Sequence, residues 1–280
     1  MRNILVTGAS SGIGEATTLL LAAAGMRVFA GVRDAGDGAA LQAKASRPTS
    51  VQPVVFDVRD PSAIHAAVGQ IASAVGAEGL AGLVNDAGEG FPGPLEMIGL
   101  DQLREQLEVN VVGQVAVTQA ALPLIRQGQG RIVFVGSIGG KVAVPFAGPY
   151  HASKYAIEAI GDSLRQELQP DGIAVSIVEP GPISTAIWSK AEQRVDELLA
   201  ASPQVDRYRD RLLAFRNTLH STDDNGGSVE DVAKVIETAL TASRPSARYP
   251  VGGSAKVASA LKPWVPDKIY DAVVRRFVAS

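Results

Sequence analysis

Short apolar runs alternate along the chain with longer stretches in which apolar residues recur every three or four positions. Ile4-Leu5-Val6 is a run of the first kind, and it reads as a short strand buried on both faces. Behind it, Ala16, Leu19, Leu20, Ala23 and Ala24 keep helical spacing until Gly25 ends the helix. The alternation then repeats. Strands are expected near 3–7, 27–32, 52–57, 81–85, 131–136, 173–179 and 248–251, and helices over 13–24, 37–45, 62–75, 101–127, 150–169 and 229–242. Such alternation implies an α/β fold with a parallel sheet and helices on both faces.

The expected architecture is a Rossmann-type doubly wound parallel sheet of about seven strands, with 1–280 forming a single domain. Two regions depart from the pattern. Residues 186–227 are polar, helical over Glu192 to Ala200 and Tyr208 to Leu219, and end in Asp223-Asp224-Asn225-Gly226-Gly227. They follow a strand's carboxyl end, where open α/β sheets bind ligands, so they read either as a substrate lid or as a solvated helical insertion. Residues 254–280 form a C-terminal extension carrying Pro263, Trp264, Pro266 and Arg275-Arg276. It reads as a packed tail, with contact to a membrane surface as the alternative.

Composition narrows the classes. A chain of 280 residues, 46% hydrophobic, can bury one substantial core. A net charge of −3 and a pI near 5.7 argue against a nucleic-acid partner. With no cysteine, disulfides and thiolate chemistry are excluded. His65, His151 and His220 lack ligand spacing, so no metal site is expected. The first strand starts too early for a signal peptide, and no apolar run reaches the roughly 18 residues of a membrane span. A cytoplasmic protein is the expectation.

Two motifs carry chemistry. Thr7-Gly8-Ala9-Ser10-Ser11-Gly12-Ile13-Gly14 joins the first strand to the first helix. Glycines there let the backbone approach a pyrophosphate, and the helix N-terminus offers unpaired N–H groups and a positive dipole end. Downstream, Tyr150 and Lys154 share a helical face, with Ser137 thirteen residues before the tyrosine. A fixed ammonium favours the phenolate, and so would bring the phenol's pKa down toward the working range.

Together these motifs resemble the short-chain dehydrogenase/reductase family in its single-domain form, over residues 3 to about 185. The resemblance implies a nicotinamide dinucleotide held by Gly8, Ser10, Ser11, Gly12, Ile13 and Gly14. It implies that Tyr150 exchanges a proton with the substrate oxygen, that Lys154 lowers the phenol's pKa and bonds the nicotinamide ribose, and that Ser137 polarises the carbonyl. Asn110, a poor helix former inside an expected long helix, takes the place of the family's water-holding residue in a proton relay. Asp57 and Val58, after the third strand, take the adenine-contacting place; Asp57 could instead cap the turn before Asp60-Pro61. Asn85-Asp86-Ala87-Gly88 matches the family's Asn-Asn-Ala-Gly except at Asp86, where only local hydrogen bonding is expected to change. Pro180, Gly181, Ile183 and Thr185 resemble the segment over the nicotinamide.

The second strand ends in Val32-Arg33 without the carboxylate that NAD-preferring enzymes place on the ribose hydroxyls. A guanidinium there suits a 2′-phosphate, so NADP(H) is the expected cofactor and NAD(H) the alternative. The expected activity is oxidoreduction of an alcohol or ketone. The competing readings are a catalytically silent NAD(P)-binding regulator, which would be expected to lack a catalytic residue, and a sugar-nucleotide epimerase, for whose substrate domain there is little room. Likeness to steroid- and retinoid-acting members suggests a lipophilic substrate, with Phe91, Pro92, Pro94, Leu95, Met97, Val142, Val144, Phe146 and Trp188 as candidate pocket residues. Family habit further suggests a homodimer or homotetramer.

Overall fold

The computed structural model describes residues 1–201 and 203–279. The side chains of Asp223, Asp224, Asn225, Pro263, Arg275 and Arg276, singled out above, lie outside the described ones. Seven strands, β1 (Asn3–Val6), β2 (Arg27–Val32), β3 (Val51–Val55), β4 (Gly82–Asn85), β5 (Arg131–Val135), β6 (Ala174–Pro180) and β7 (Arg248–Val251), form one parallel sheet in the order β3-β2-β1-β4-β5-β6-β7. The chain order reverses between β1 and β4, and there the sheet opens a crevice at its carboxyl edge.

Side chains alternate across the strands. Ile4 and Val6 point to the face covered by α1 (Gly12–Ala23), α2 (Ala35–Lys44) and α9 (Val229–Thr241). Leu5 points to the opposite face, where α3 (Pro61–Val75), α5 (Gly113–Gln127) and α6 (Gly148–Glu167) pack. Asp34 and Asp60 cap α2 and α3 by accepting from Gly36 N at 2.7 Å and Ser62 N at 2.8 Å.

The expected helix over 101–127 is not continuous. Helix α4 (Leu100–Leu107) passes into α5 through a π-helical turn, Glu108–Val112, which carries the buried Asn110 at its centre. The asparagine bonds outward to a neighbouring loop, and the widened turn is what aims it there. By length and composition the stretch 100–127 could cross a membrane, although no such run was expected. Its Val117, Ala121, Leu124 and Ile125 are buried in the core, as in the core helix of a folded domain. Strand β3 also ends earlier than expected, at Val55, leaving Asp57 in the loop beyond it.

Past β6, α7 (Ala186–Ala201) and α8 (Arg209–Asn225) form a helical excursion with its own apolar core: Val195, Val205, Leu212, Phe215 and Leu219 close around Phe146. It leaves and rejoins the sheet at one point, where Ile183 bridges Gly227. The chain ends in α10 (Gly253–Leu261) and α11 (Asp267–Ala279). Ser259 donates to Glu179 at 3.0 Å, and Tyr270 Oη donates to the Ala143 carbonyl at 2.7 Å.

Arg248 ties β7 to α6. Its Nε lies 2.9 Å from Glu158 Oε2 and 3.3 Å from Glu179 Oε1, and a terminal nitrogen lies 2.7 Å from Asp162. Lys141 meets the same Glu158 at 2.7 Å. Removing the guanidinium leaves two nearly buried carboxylates, Glu158 and Glu179, with one cation between them. Arg248→Met is therefore expected to lower stability by about 2–4 kcal/mol, less than for a fully buried pair because the arginine is partly exposed. Urea unfolding of the two proteins measures it.

Candidate active site

The carboxyl ends of β1, β4, β5 and β6 frame a cleft of about 770 Å³. One wall is the turn between β1 and α1. Gly8 and Gly12 hold φ of +65° and +56°, conformations that a side chain disfavours. A Cβ on Gly8 would lie 2.9 Å from the Ala87 backbone, and one on Gly14 2.3 Å from the Gly8 carbonyl. The bare backbone thus comes to the surface of the cleft. Ser11 caps α1 without a side-chain hydrogen bond, which leaves N–H groups of the first turn for a ligand. This is a cradle that added Cβ atoms would fill, and it fits a dinucleotide's pyrophosphate.

Ser10, Ser11 and Ile13 line that wall together with Gly8 and Gly12. Ala87 and Gly88 line the floor, Arg33, Asp57 and Val58 one end, and Pro180, Gly181, Ile183 and Thr185 the edge above. Gly14 and Asn85 lie behind the lining. Buried Asn85 holds the floor by donating to Thr118 Oγ1 at 2.8 Å. Thr7 Oγ1 accepts from the Asp86 and Ala87 amides at 3.0 and 3.1 Å, so the wall and floor are one hydrogen-bonded unit.

The opposite wall carries Ser137, Tyr150 and Lys154. Ser137 follows β5 in extended conformation, and its Oγ accepts from Gly139 N at 3.0 Å. Its hydroxyl neighbours the Tyr150 phenol and draws that group's pKa down. Tyr150 and Lys154 share a face of α6, and the ammonium lies 5.7 Å from the phenol ring centroid. Lys154 Nζ donates to the Val135 carbonyl at 2.9 Å, fixing α6 against β5. Asn110 accepts from Glu89 N at 2.9 Å and donates to the Glu89 carbonyl and to Ser153 Oγ at 3.0 and 3.1 Å. Both its amide protons are thereby spent on joining the loop after β4 to α6.

The electrostatics differ from the simple expectation. Burial pushes the Tyr150 phenol above its ordinary value; the Ser137 hydroxyl opposes this, and a negative charge on Asp86 adds to it. Burial likewise brings Lys154 down from the ordinary lysine range, with Asp86 and Glu158 opposing. Asp86 is held well above the ordinary carboxylate range by burial, against the pull of Lys154 and a hydrogen bond from Gly14 N–H. Asp86 is thus an electrostatic member of the site, where only a local hydrogen-bonding change was expected.

Three further groups shape the site. Arg59 grips Asp57 at 2.7 Å and Glu105 at 3.1 Å beside Arg33, so the Asp57 carboxylate is committed to a neighbouring cation. Arg194 of α7 lies 3.7 Å over the Phe91 ring, pairs with Glu89 at 3.2 Å and donates to the Gly90 carbonyl. His151 accepts from Val144 N at 3.1 Å through Nε2, so its Nδ1 carries the proton to the Gly139 carbonyl at 2.9 Å. Burial keeps that imidazole neutral. Adjacent signals existed in Asp57-Val58-Arg59, but a helix some hundred residues away gave none for Arg194.

Of the nine expected pocket residues, Val142, Val144 and Trp188 line the cleft, joined by Ile187. Phe146 instead sits under the α7–α8 core, at φ +66°, edge-on to Phe215 at 5.7 Å. Leu95 is exposed and does not reach the cleft.

The model of the short chain dehydrogenase family matches residues 2–196. An NADPH-dependent 3-dehydrocapnine reductase of Ornithobacterium rhinotracheale is 36% identical over 279 residues, covering 98% of this chain and 96% of that protein. A 17-beta-hydroxysteroid dehydrogenase type 6 of Bos taurus is 35% identical over 286 residues, covering 98% and 87%. A crystal structure of a short-chain dehydrogenase from Streptomyces avermitilis superposes with a TM-score of 0.76 at 26% identity, covering 97% of each chain. With the glycine cradle facing a Ser-Tyr-Lys wall across one cleft, and with these likenesses along nearly its whole length, the chain belongs to the short-chain dehydrogenase family.

Proposed function

We propose that this chain is an NADP(H)-dependent oxidoreductase acting on an alcohol or ketone, with Tyr150 as the acid-base group. The observation that carries the reading is the placing of Ser137, Tyr150 and Lys154 on one wall of a cleft whose other wall is a bare-backbone anion cradle. A nicotinamide dinucleotide bound there would supply or accept the hydride. The rest falls to the chain's own residues. Gly139 N–H occupies one lone pair of Ser137 and orients its hydroxyl to donate toward a substrate oxygen. Tyr150 gives that oxygen a proton or takes one from it. Lys154, buried beside it, offsets charge appearing on the phenol and carries donors for a ribose. Asn110 holds the loop after β4 against α6 and keeps the relay's position next to Ser153.

Arg33 stands exposed at the cleft's rim, at the end of β2, while the nearest acidic side chain after it, Asp34, is spent on capping α2. With Asp57 held by Arg59 at 2.7 Å, the Arg33 guanidinium favours a 2′-phosphate. The relative from Ornithobacterium is NADPH-dependent by name, which supports the same choice. Val142, Val144, Ile187 and Trp188 make the substrate end apolar, and a lipophilic alcohol or ketone suits it. Helices α7 and α8 serve as the lid over that end, latched through Arg194 to Glu89 and Gly90. Half-exposed Val112 and Tyr155, on the two long helical stretches, suit a homodimer or homotetramer.

Three outcomes are expected. Tyr150→Phe retains NADPH binding by fluorescence titration and loses turnover by a factor of at least about 1,000; retained turnover would refute the acid-base role. Arg33→Ala weakens NADPH about 10- to 100-fold with little change for NADH, as loss of a charge-assisted hydrogen bond requires; equal losses for both would remove the phosphate assignment. Hydrogen exchange over 186–225 slows when cofactor and substrate are added together, and an unchanged pattern would make this region a fixed wall.

A further inference from the structure

Asp86 stands where the family's motif has asparagine, and its surroundings make the exchange consequential. It follows β4 directly. The register Asn85↔Phe134 sets it beside Val135, whose carbonyl receives the Lys154 ammonium. Asp86 and Lys154 line the same cleft, at neighbouring strand ends. Thr7 pins the Asp86 amide, and Oδ2 packs against Gly14 in the first turn of α1, 2.7 Å from where a Cβ there would sit. That first turn belongs to the anion cradle. One carboxylate therefore packs on the first turn of α1 and shares its cleft with Lys154 and Tyr150.

We infer that Asp86 and Lys154 form a charge-coupled pair across the cleft floor, and that filling the cleft with an anionic dinucleotide drives a proton onto Asp86. The second half rests on the proposed cofactor reading. A diphosphate at the first turn of α1 brings negative charge toward Asp86, which favours the neutral acid. Neutral Asp86 no longer opposes Lys154, so Tyr150 then feels the ammonium's field in full. Asp86 acts here as a positioning residue for charge: it tunes the phenol through Lys154 without touching the substrate.

The other charges around it are accounted for. From α6 come Lys154, Tyr150 and, one turn on, Glu158, which Lys141 and Arg248 neutralise. Glu179 at the end of β6 belongs to that same cluster. Glu89, after β4, is paired with Arg194 of α7. Arg33, Asp57 and Arg59 lie at the adenine end. On α1, Glu15 is paired outward with Lys44 of α2.

Carbon-detected NMR of carboxyl-labelled aspartate in the cofactor-free protein tests the pair. One aspartate should titrate near pH 7, vanish in Asp86→Asn and move to higher pH in Lys154→Met. All aspartates titrating in the ordinary range, or a titration unmoved by Lys154→Met, would overturn it. Calorimetry of NADPH binding in two buffers of different ionisation enthalpy tests the coupling. The natural protein should take up protons near neutral pH, and Asp86→Asn should bind NADPH without that uptake. The basic limb of the pH profile of kcat/KM for NADPH, which reports the cofactor-free protein, should also move to lower pH, since there the substitution removes a charge that raises both Lys154 and Tyr150. An unchanged proton count in Asp86→Asn would overturn the coupling. Failure of the natural protein to bind NADPH would overturn the cofactor reading and the coupling together, while the NMR titration would still decide the pair.

Discussion

The burial of one ammonium organises this molecule. Removing Lys154 from water would cost several kcal/mol if nothing compensated it. The compensation comes from three sides: the Val135 carbonyl beneath it, Asp86 beside it and Glu158 one turn along α6. Each draws in a further element. Val135 fixes α6 on β5, Asp86 reaches the first turn of α1, and Glu158 hands its charge to Lys141 and Arg248, which engages β7. The wall of Ser137, Tyr150 and Lys154, the glycine cradle and the sheet's far edge are thus tied to a single buried charge.

Much of this was legible in the sequence because it is local. Alternating strand and helix patterns located all seven strands, and the eight residues from Thr7 to Gly14 carry their own backbone geometry. Tyr150 and Lys154 meet because a helix places residues four apart on one face. What escaped was non-local or compensating. The break in the long helix at Asn110 depends on partners in the loop after β4, and no propensity scale sees them. The committed state of Asp57 arises only when Arg59 folds back and Glu105 approaches.

The substrate end was the least legible part. Phe146 is one of the apolar residues expected in the pocket. Its ring instead fastens the loop between Ser137 and Tyr150 to the core of α7 and α8, at the cost of a left-handed backbone. The same loop is held from below by His151. Whatever shapes the apolar end of the cleft must therefore act on both supports together, so pocket shape and excursion packing are one property.

The bridge between Ile183 and Gly227 has a consequence for how such a protein diversifies. Because the excursion departs and returns through neighbouring backbone, and keeps an apolar core of its own, its ends stay fixed whatever lies between them. Replacing 184–226 with a segment of different length or shape would leave every strand register and the cradle where they are. This stretch is built as an exchangeable cassette, joined to the sheet through a single bridge.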